Sequence, residues 1–138
     1  FVGLLRYDLC DQPGVAYLWY IAITPEARGA GIGAACFKEV VHRACEAGLR
    51  AVLFEVEIPD HFDDPNRRDN ARRRIEFYRR LGALLLTGTS YIQRVPNQPE
   101  IPLHIMVRPI KPVTAREAFE MARLQLDDVT QIGELDLA

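Results

Sequence analysis

Three absences narrow the reading of this chain before any motif is considered. Its three cysteines, Cys10, Cys36 and Cys45, are odd in number and show no CxxC spacing. We expect them to be reduced thiols, with Cys36 and Cys45 packing within a helix. Its three histidines, His42, His61 and His104, share no metal-ligand spacing with one another or with a cysteine, so no metal is expected. The longest apolar run, "VAYLWYIAI" at 15–23, is far too short to cross a bilayer as a helix, and no membrane role is expected. The formal net charge is only −2, so the chain as a whole exerts no pull on nucleic acid. No internal repeat, low-complexity tract or targeting pattern is visible, and we expect a cytoplasmic protein. The chain opens on Phe1, without a methionine and inside an expected strand, from which we expect that residues precede it.

What is present reads as a globular domain. The 138 residues are 49% hydrophobic and 26% charged. "FVGLLRYDLC" (1–10) is β-rich, "DQPG" (11–14) has turn chemistry, and 15–24 reads as a buried central strand, so 1–24 form an expected antiparallel pair. Apolar residues at helical spacing predict a helix over about 31–47, ended by Gly48. "AVLFEVEI" (51–58) reads as a strand parallel to 15–24, and 59–68 as a polar loop. A second helix is expected over about 69–81, capped by Asp69 or Asn70, with Ala71, Ile75 and Tyr78 on one stripe. Strands at 83–95 and 101–110 flank "PNQPE" and predict a hairpin. "TAREAFEMARLQL" (114–126) predicts an amphipathic helix with a capping box of Thr114 and Glu117, followed by an acidic, weakly patterned tail. The order β-β-α-β-α-β-β-α makes this an α/β fold with a mixed sheet.

The chemistry concentrates in "TPEARGAGIGAA" (24–35). Glycines permit positive φ and close approach of a ligand to the backbone. A helix N-terminus adds unpaired N–H groups and partial positive charge, so together they form a pyrophosphate cradle. No Gly-Lys-Ser/Thr follows, which excludes a Walker loop. Gly29, Gly31 and Ala34 also fit G-x-G-x-x-A, with Glu55 placed to take a ribose hydroxyl, as in a Rossmann dinucleotide site. Against that alternative, "TPEAR" separates the strand from the glycines, and only one helix and an antiparallel hairpin follow residue 58.

Arg28-Gly29-Ala30-Gly31-Ile32-Gly33 resembles the [Q/R]-x-x-G-x-[G/A] loop of the GNAT superfamily of N-acetyltransferases. "NARRRIEFYRRLGA" (70–83) resembles the family's second signature, N-x-x-A-x-x-x-Y ending in Gly-Phe. Here Ile75 stands where a small residue is common, and Ala83 replaces the Phe. The likeness covers about 1–110. It implies a mostly antiparallel central sheet flanked by helices, with a C-terminal β-hairpin and an additional C-terminal helix. It divides the chain into a domain at 1–112, lacking the family's usual N-terminal strand and helices, and a helix with acidic tail at 113–138. It implies acetyl-CoA as co-substrate and acetyl transfer to a small-molecule or peptide amine, with a homodimer as a further expectation.

By the same resemblance, backbone N–H groups of Arg28, Gly29, Ala30, Gly31, Ile32, Gly33 and Ala34 hold the pyrophosphate. Ile21, Ala22 and Ile23 splay from the neighbouring strand and pair with the pantetheine amides by backbone addition. Asn70 joins the cofactor-binding set, and a backbone N–H near Ile23 meets the oxyanion. Tyr78 matches the position of the general acid. The glutamate that some members carry on the strand 15–24 is replaced by Tyr17, so Glu55 and Glu57, which share one face of the next strand, are the candidate bases. The arginines of 67–80 are interleaved with acids and read as a salt-bridged face, with no nucleic-acid role expected. The alternative to an enzyme is a non-catalytic CoA-binding or sensory module on the same fold.

Overall fold

The computed structural model describes residues 2–138, so Phe1, on which the first strand was expected to open, lies outside the described residues. Nine main elements follow in order: β1 (Gly3–Cys10), β2 (Val15–Ile23), α1 (Ile32–Glu46), β3 (Ala51–Glu57), α2 (Pro65–Arg80), β4 (Leu84–Gln93), β5 (Ile101–Pro109), α3 (Ala115–Gln125) and β6 (Val129–Leu137). The strands make one six-stranded sheet in the order β1-β2-β3-β5-β4-β6. Only β2 and β3 run parallel, because α1 carries the chain back across the sheet between them. Every other neighbouring pair is antiparallel, so the sheet is mixed and mostly antiparallel, as expected. That order overturns the dinucleotide-fold alternative, which needs successive parallel βα units.

The sheet is covered on both sides. Ala16, Leu18, Val52, Phe54 and Met106 pack against Phe37, Val40 and Ala44 of α1 and Ile75 and Tyr78 of α2. On the other side, Val15, Tyr17, Leu53, Ile105 and Val107 pack against Ala118, Phe119, Met121 and Ala122 of α3. This double burial explains why "VAYL" and "AVLF" are continuously apolar rather than alternating: side chains pointing either way meet a helix.

Two elements differ from expectation. Helix α2 begins at Pro65, four residues before the expected start at 69, and Asp64, rather than Asp69 or Asn70, caps it by accepting from the Asn66 N–H at 2.9 Å. "DDPNRR" resembles a proline-bearing loop, yet an acid followed by proline at the first helical position is a strong helix start. The expected acidic tail is instead β6, antiparallel to β4. Val129, Leu135 and Leu137 share its inward face, but Gln131 and Gly133 interrupt the alternation that would reveal a strand. The β4–β6 ladder shifts register between Thr87 and Thr89, where Gly88 has φ +81°. A Cβ there would lie 2.1 Å from the Glu134 carbonyl oxygen, so only glycine lets the two backbones approach. The capping box of α3 is present: Thr114 Oγ1 accepts from the Glu117 N–H at 3.1 Å, and Glu117 Oε1 from the Thr114 N–H at 3.0 Å.

Phe37, Phe54 and Tyr78 form an aromatic triangle under α1 and α2, with centroid separations of 5.7, 5.2 and 4.5 Å. We expect Phe54→Ala to cost about 3–5 kcal/mol of stability through the lost burial and the cavity left behind. We expect Thr114→Ala to cost only about 1 kcal/mol. Urea unfolding of the two variants checks both values.

Candidate active site

The site begins where two strands part. β2 and β3 pair through only three positions, Val15↔Ala51, Ala16↔Val52 and Tyr17↔Leu53. Beyond them β2 stays with β1 as far as Ile23, and β3 stays with β5 as far as Glu57. A bulge accompanies the separation. Arg6 faces Tyr20 and Tyr7 faces Leu18, leaving Trp19 as the extra residue on β2. A bulge bends its strand and moves every later side chain to the opposite face. Accordingly Tyr17 belongs to the α3-side core, while Ile21, an even number of residues on, packs on the α1/α2 side.

On the α1/α2 side, a groove follows the parted end of β2. One part, of about 560 Å³, is bounded by Ile21, Ala22, Ile23, Asn70 and Tyr78. A second, of about 350 Å³, lies over the glycine loop against Gly29, Gly31, Ile32, Gly33 and Ala34. The two share Ile23, Arg28, Gly33 and Phe77, so they form one continuous channel. Gly29 and Gly31 have φ of +87° and +76°, and a Cβ at either would meet no protein atom within 4 Å. Gly31 caps α1, and the first turn of that helix carries no acidic residue. The first intrahelical bond runs from the Ala35 N–H to the Gly31 carbonyl, which leaves the N–H groups of Ile32, Gly33 and Ala34 free. An anion is therefore favoured by open space, free donors and the helix dipole.

Of the expected cofactor residues, all but Ala30 border this channel; Ala30 lies in the loop without lining it. Arg28 braces the turn, its Nε donating to the Ile23 carbonyl at 3.1 Å. Ala27, Arg73, Arg74 and Phe77 line the channel as well, outside that expected set. Arg73, Arg74 and Phe77 follow Asn70 at three-, four- and seven-residue intervals, a helical stripe readable once Asn70 is placed in the site.

Tyr78 is 9% exposed, wedged among Phe37, Phe54 and Phe77. Its hydroxyl has no hydrogen-bond partner among the described residues and is not sealed from solvent, so it opens on the channel it borders. Burial raises its pKa, partly offset by the nearby Arg74 charge, so the phenol stays protonated at neutral pH.

Glu55 lies on the opposite face of the sheet. The Tyr17 hydroxyl sits 2.6 and 2.7 Å from its two carboxylate oxygens, donating to them, and the Tyr91 hydroxyl approaches the same group. Desolvation raises the Glu55 pKa above the ordinary carboxylate range, while hydrogen bonding from Tyr17 works against that rise. The structure separates Glu57 from this cluster. It lies 3.9 Å from Arg74 and borders a different hollow with His61 and Phe62. The shared face expected for the two glutamates does not become a shared site, because β3 ends at Glu57 beside the α2 entry loop. His42 pairs with Glu46 on the exposed side of α1 at 2.9 Å. Arg72, Arg73 and Arg79 pair with Asp60, Asp69 and Glu76, the salt-bridged face expected for α2. No group of three metal-ligating side chains occurs among the described residues, and no described helix is long and apolar enough to cross a membrane.

This arrangement defines a class. Residues 1–83 match the model of the acetyltransferase (GNAT) family, and the chain belongs to that family. Among solved structures, a GNAT-family protein from Bacteroides thetaiotaomicron is 28% identical with a TM-score of 0.64, over 90% of this chain and 62% of that one. The fold is also that of the ribosomal-protein-S18-alanine N-acetyltransferase from Escherichia coli (19% identity, TM-score 0.54, 81% of this chain and 63% of that one). It is shared by the yncA protein of Salmonella typhimurium, solved with its cofactor acetyl-CoA (15%, TM-score 0.56, 83% and 61%). The chain thus spans less than two thirds of the length of these structures. No curated protein sequence matches it.

Gly31→Glu would place a negative side chain in the space before the free N–H groups of α1. We expect acetyl-CoA binding, followed by titration calorimetry, to be lost in this variant, with a thermal melt confirming that it remains folded. Retained binding would remove the loop from the cofactor site.

Proposed function

We propose that this chain is the donor-binding and catalytic part of an N-acetyltransferase that moves an acetyl group from acetyl-CoA to a primary amine by direct attack. One observation supports the reading: where β2 parts from β3, Tyr78 of α2 borders the channel along β2 with its hydroxyl protonated, and Glu55 of β3 lies desolvated on the other face of the sheet.

In this reading the free N–H groups at the start of α1 hold the pyrophosphate. The unpaired edge of β2 beyond Tyr17 receives the pantetheine amides as a third strand would. Arg73 and Arg74 lie beside the channel, each paired with an acid. The acetyl thioester then lies in the opening between β2 and β3. Glu55, ionised, takes the proton from the incoming ammonium directly or through water. The neutral amine forms the C–N bond, and a free backbone N–H of β2 steadies the oxyanion. As the C–S bond breaks, the Tyr78 hydroxyl delivers its proton to the departing sulfur. Two protons leave the acceptor nitrogen: the first passes through Glu55 to solvent, and the second, lost as the tetrahedral adduct collapses to the amide, replaces the one that Tyr78 gives to the thiol.

Glu55 must be ionised to act, and its pKa is raised. The rate should therefore fall on acidification through a limb lying above the ordinary carboxylate range, and Glu55→Gln should abolish that limb. Tyr78→Phe should lower kcat by about 10²–10⁴ with little change in acetyl-CoA affinity. Thiol release against a panel of amines, with kcat and KM resolved over pH, checks both variants. An unchanged kcat in Tyr78→Phe would remove this residue from the chemistry, whereas acetyl-CoA binding with no turnover of any amine by the wild type would favour a binding module.

A further inference from the structure

The face of the sheet opposite the glycine loop holds a second cavity, of about 410 Å³. Three aromatic side chains, Tyr17, Trp19 and Tyr91, border it, and the Glu55 carboxylate sits among them. The Trp19 ring meets Tyr17 edge-on at 4.9 Å. It is held in place by Arg6, 4.5 Å from its ring centre, and by its indole N–H donating to Asp8 at 2.7 Å. Asp127 and Asp128, in the turn between α3 and β6, complete the border.

The charges of this cavity do not balance internally. Its only lining cation is Arg94, and that guanidinium is occupied by Glu100, at 3.0 Å, and by Asp128. Glu55 and Asp127 have no cationic partner among the described residues. Glu55 accepts from tyrosine hydroxyls, and a carboxylate has about four acceptor sites, so capacity for a further N–H donor remains. Aromatic faces with unpaired carboxylates select cations and disfavour neutral or anionic ligands. The placement of the two carboxylates adds a length requirement. Glu55 stands on β3 and Asp127 immediately before β6, and β5 and β4 lie between these strands. Three strand spacings separate Glu55 and Asp127 by about 14 Å across the sheet, and the register adds an offset along the strands, because Val129 is level with Glu57 through Tyr91 and Leu103. Tyr91 on β4 lies in between, and its hydroxyl feels both Glu55 and Asp127.

We propose that this cavity is the acceptor site and that it takes a flexible α,ω-diamine or polyamine, with the reacting amino group at Glu55 and the distal ammonium at Asp127. The assignment of acetyl transfer to this cavity rests on the function proposed above; the selection of a dication rests on the cavity itself. Asp127 is a specificity residue, remote from the reacting atoms, and acts on binding of the far end of the acceptor.

The test compares an α,ω-diamine of five or so methylenes with the monoamine of equal length, in the wild type and in Asp127→Asn. Titration calorimetry without any acyl donor reads the cavity alone. The diamine should bind at least about tenfold more tightly than the monoamine, and Asp127→Asn should erase most of that difference while leaving acetyl-CoA affinity unchanged. In turnover, the diamine advantage should appear chiefly in KM and vanish in the same variant. Equal binding of the two amines, or a diamine preference untouched by Asp127→Asn, overturns the dication proposal. Diamine binding without acetylation, in a protein that also binds acetyl-CoA, upholds the dication site and overturns acetyl transfer there.

Discussion

The whole site depends on the early end of one parallel strand pairing. β2 and β3 share three paired positions and then diverge, although each continues in register with its outer neighbour. A sheet does not open in this way without a cause, since each unpaired buried amide costs a hydrogen bond. The bulge at Trp19 supplies the bend. It exposes Trp19 and Tyr20 in succession and returns Ile21 to the α1/α2 side. The opening is stable because the paired base of the fork is clamped from both faces, by α1 and α2 on one side and by α3 on the other. Rigidity below the fork and free backbone above it are two consequences of the same geometry.

The fork also separates charge. The α1/α2 side presents free N–H groups and the positive end of a helix dipole, with Arg73 and Arg74 beside them, each paired with an acid. The α3 side presents Glu55 and Asp127 among aromatic rings. A polyanionic donor and a cationic acceptor would therefore be drawn to opposite faces and meet only in the opening. Neither would compete for the other's binding surface. The same asymmetry sets the protonation states. Tyr78 is buried among phenylalanines and keeps its proton, whereas Glu55 is desolvated yet held by hydroxyl donors that favour its charged form.

What the sequence made legible follows from which interactions are local. The glycine loop, the α3 capping box, the hairpin and the inward stripe of α2 are written in residues a few positions apart, and all are present. The start of α2 was hidden because two prolines outweighed the Asp64-Pro65 start signal. β6 was hidden because Gln131 and Gly133 interrupt its inward face, and its place in the sheet is decided by Gly88, more than forty positions away. Alternation along β3 marks Glu55 and Glu57 as a same-face pair, but nothing local distinguishes them. Only the fold brings Tyr17, from β2, and Tyr91, from β4, to Glu55, and leaves Glu57 beside Arg74.

The last fifth of the chain borders the proposed acceptor cavity. Residues 113–138 share the core of the sheet through Ala118, Phe119, Met121, Ala122 and Val129. Pairing of β6 with β4 sets Val129 opposite Tyr91, and so carries the Asp127–Asp128 turn to the edge of the Glu55 cavity. The donor channel, by contrast, is built entirely from residues between Ile21 and Tyr78, within the family match at 1–83. The proposed donor and acceptor sites thus draw on different stretches of sequence, joined through β3 and β5. On the proposed function, a substitution in the α3–β6 turn would alter which amine is accepted without touching a group that holds the donor. A substitution in the glycine loop would have the reverse effect.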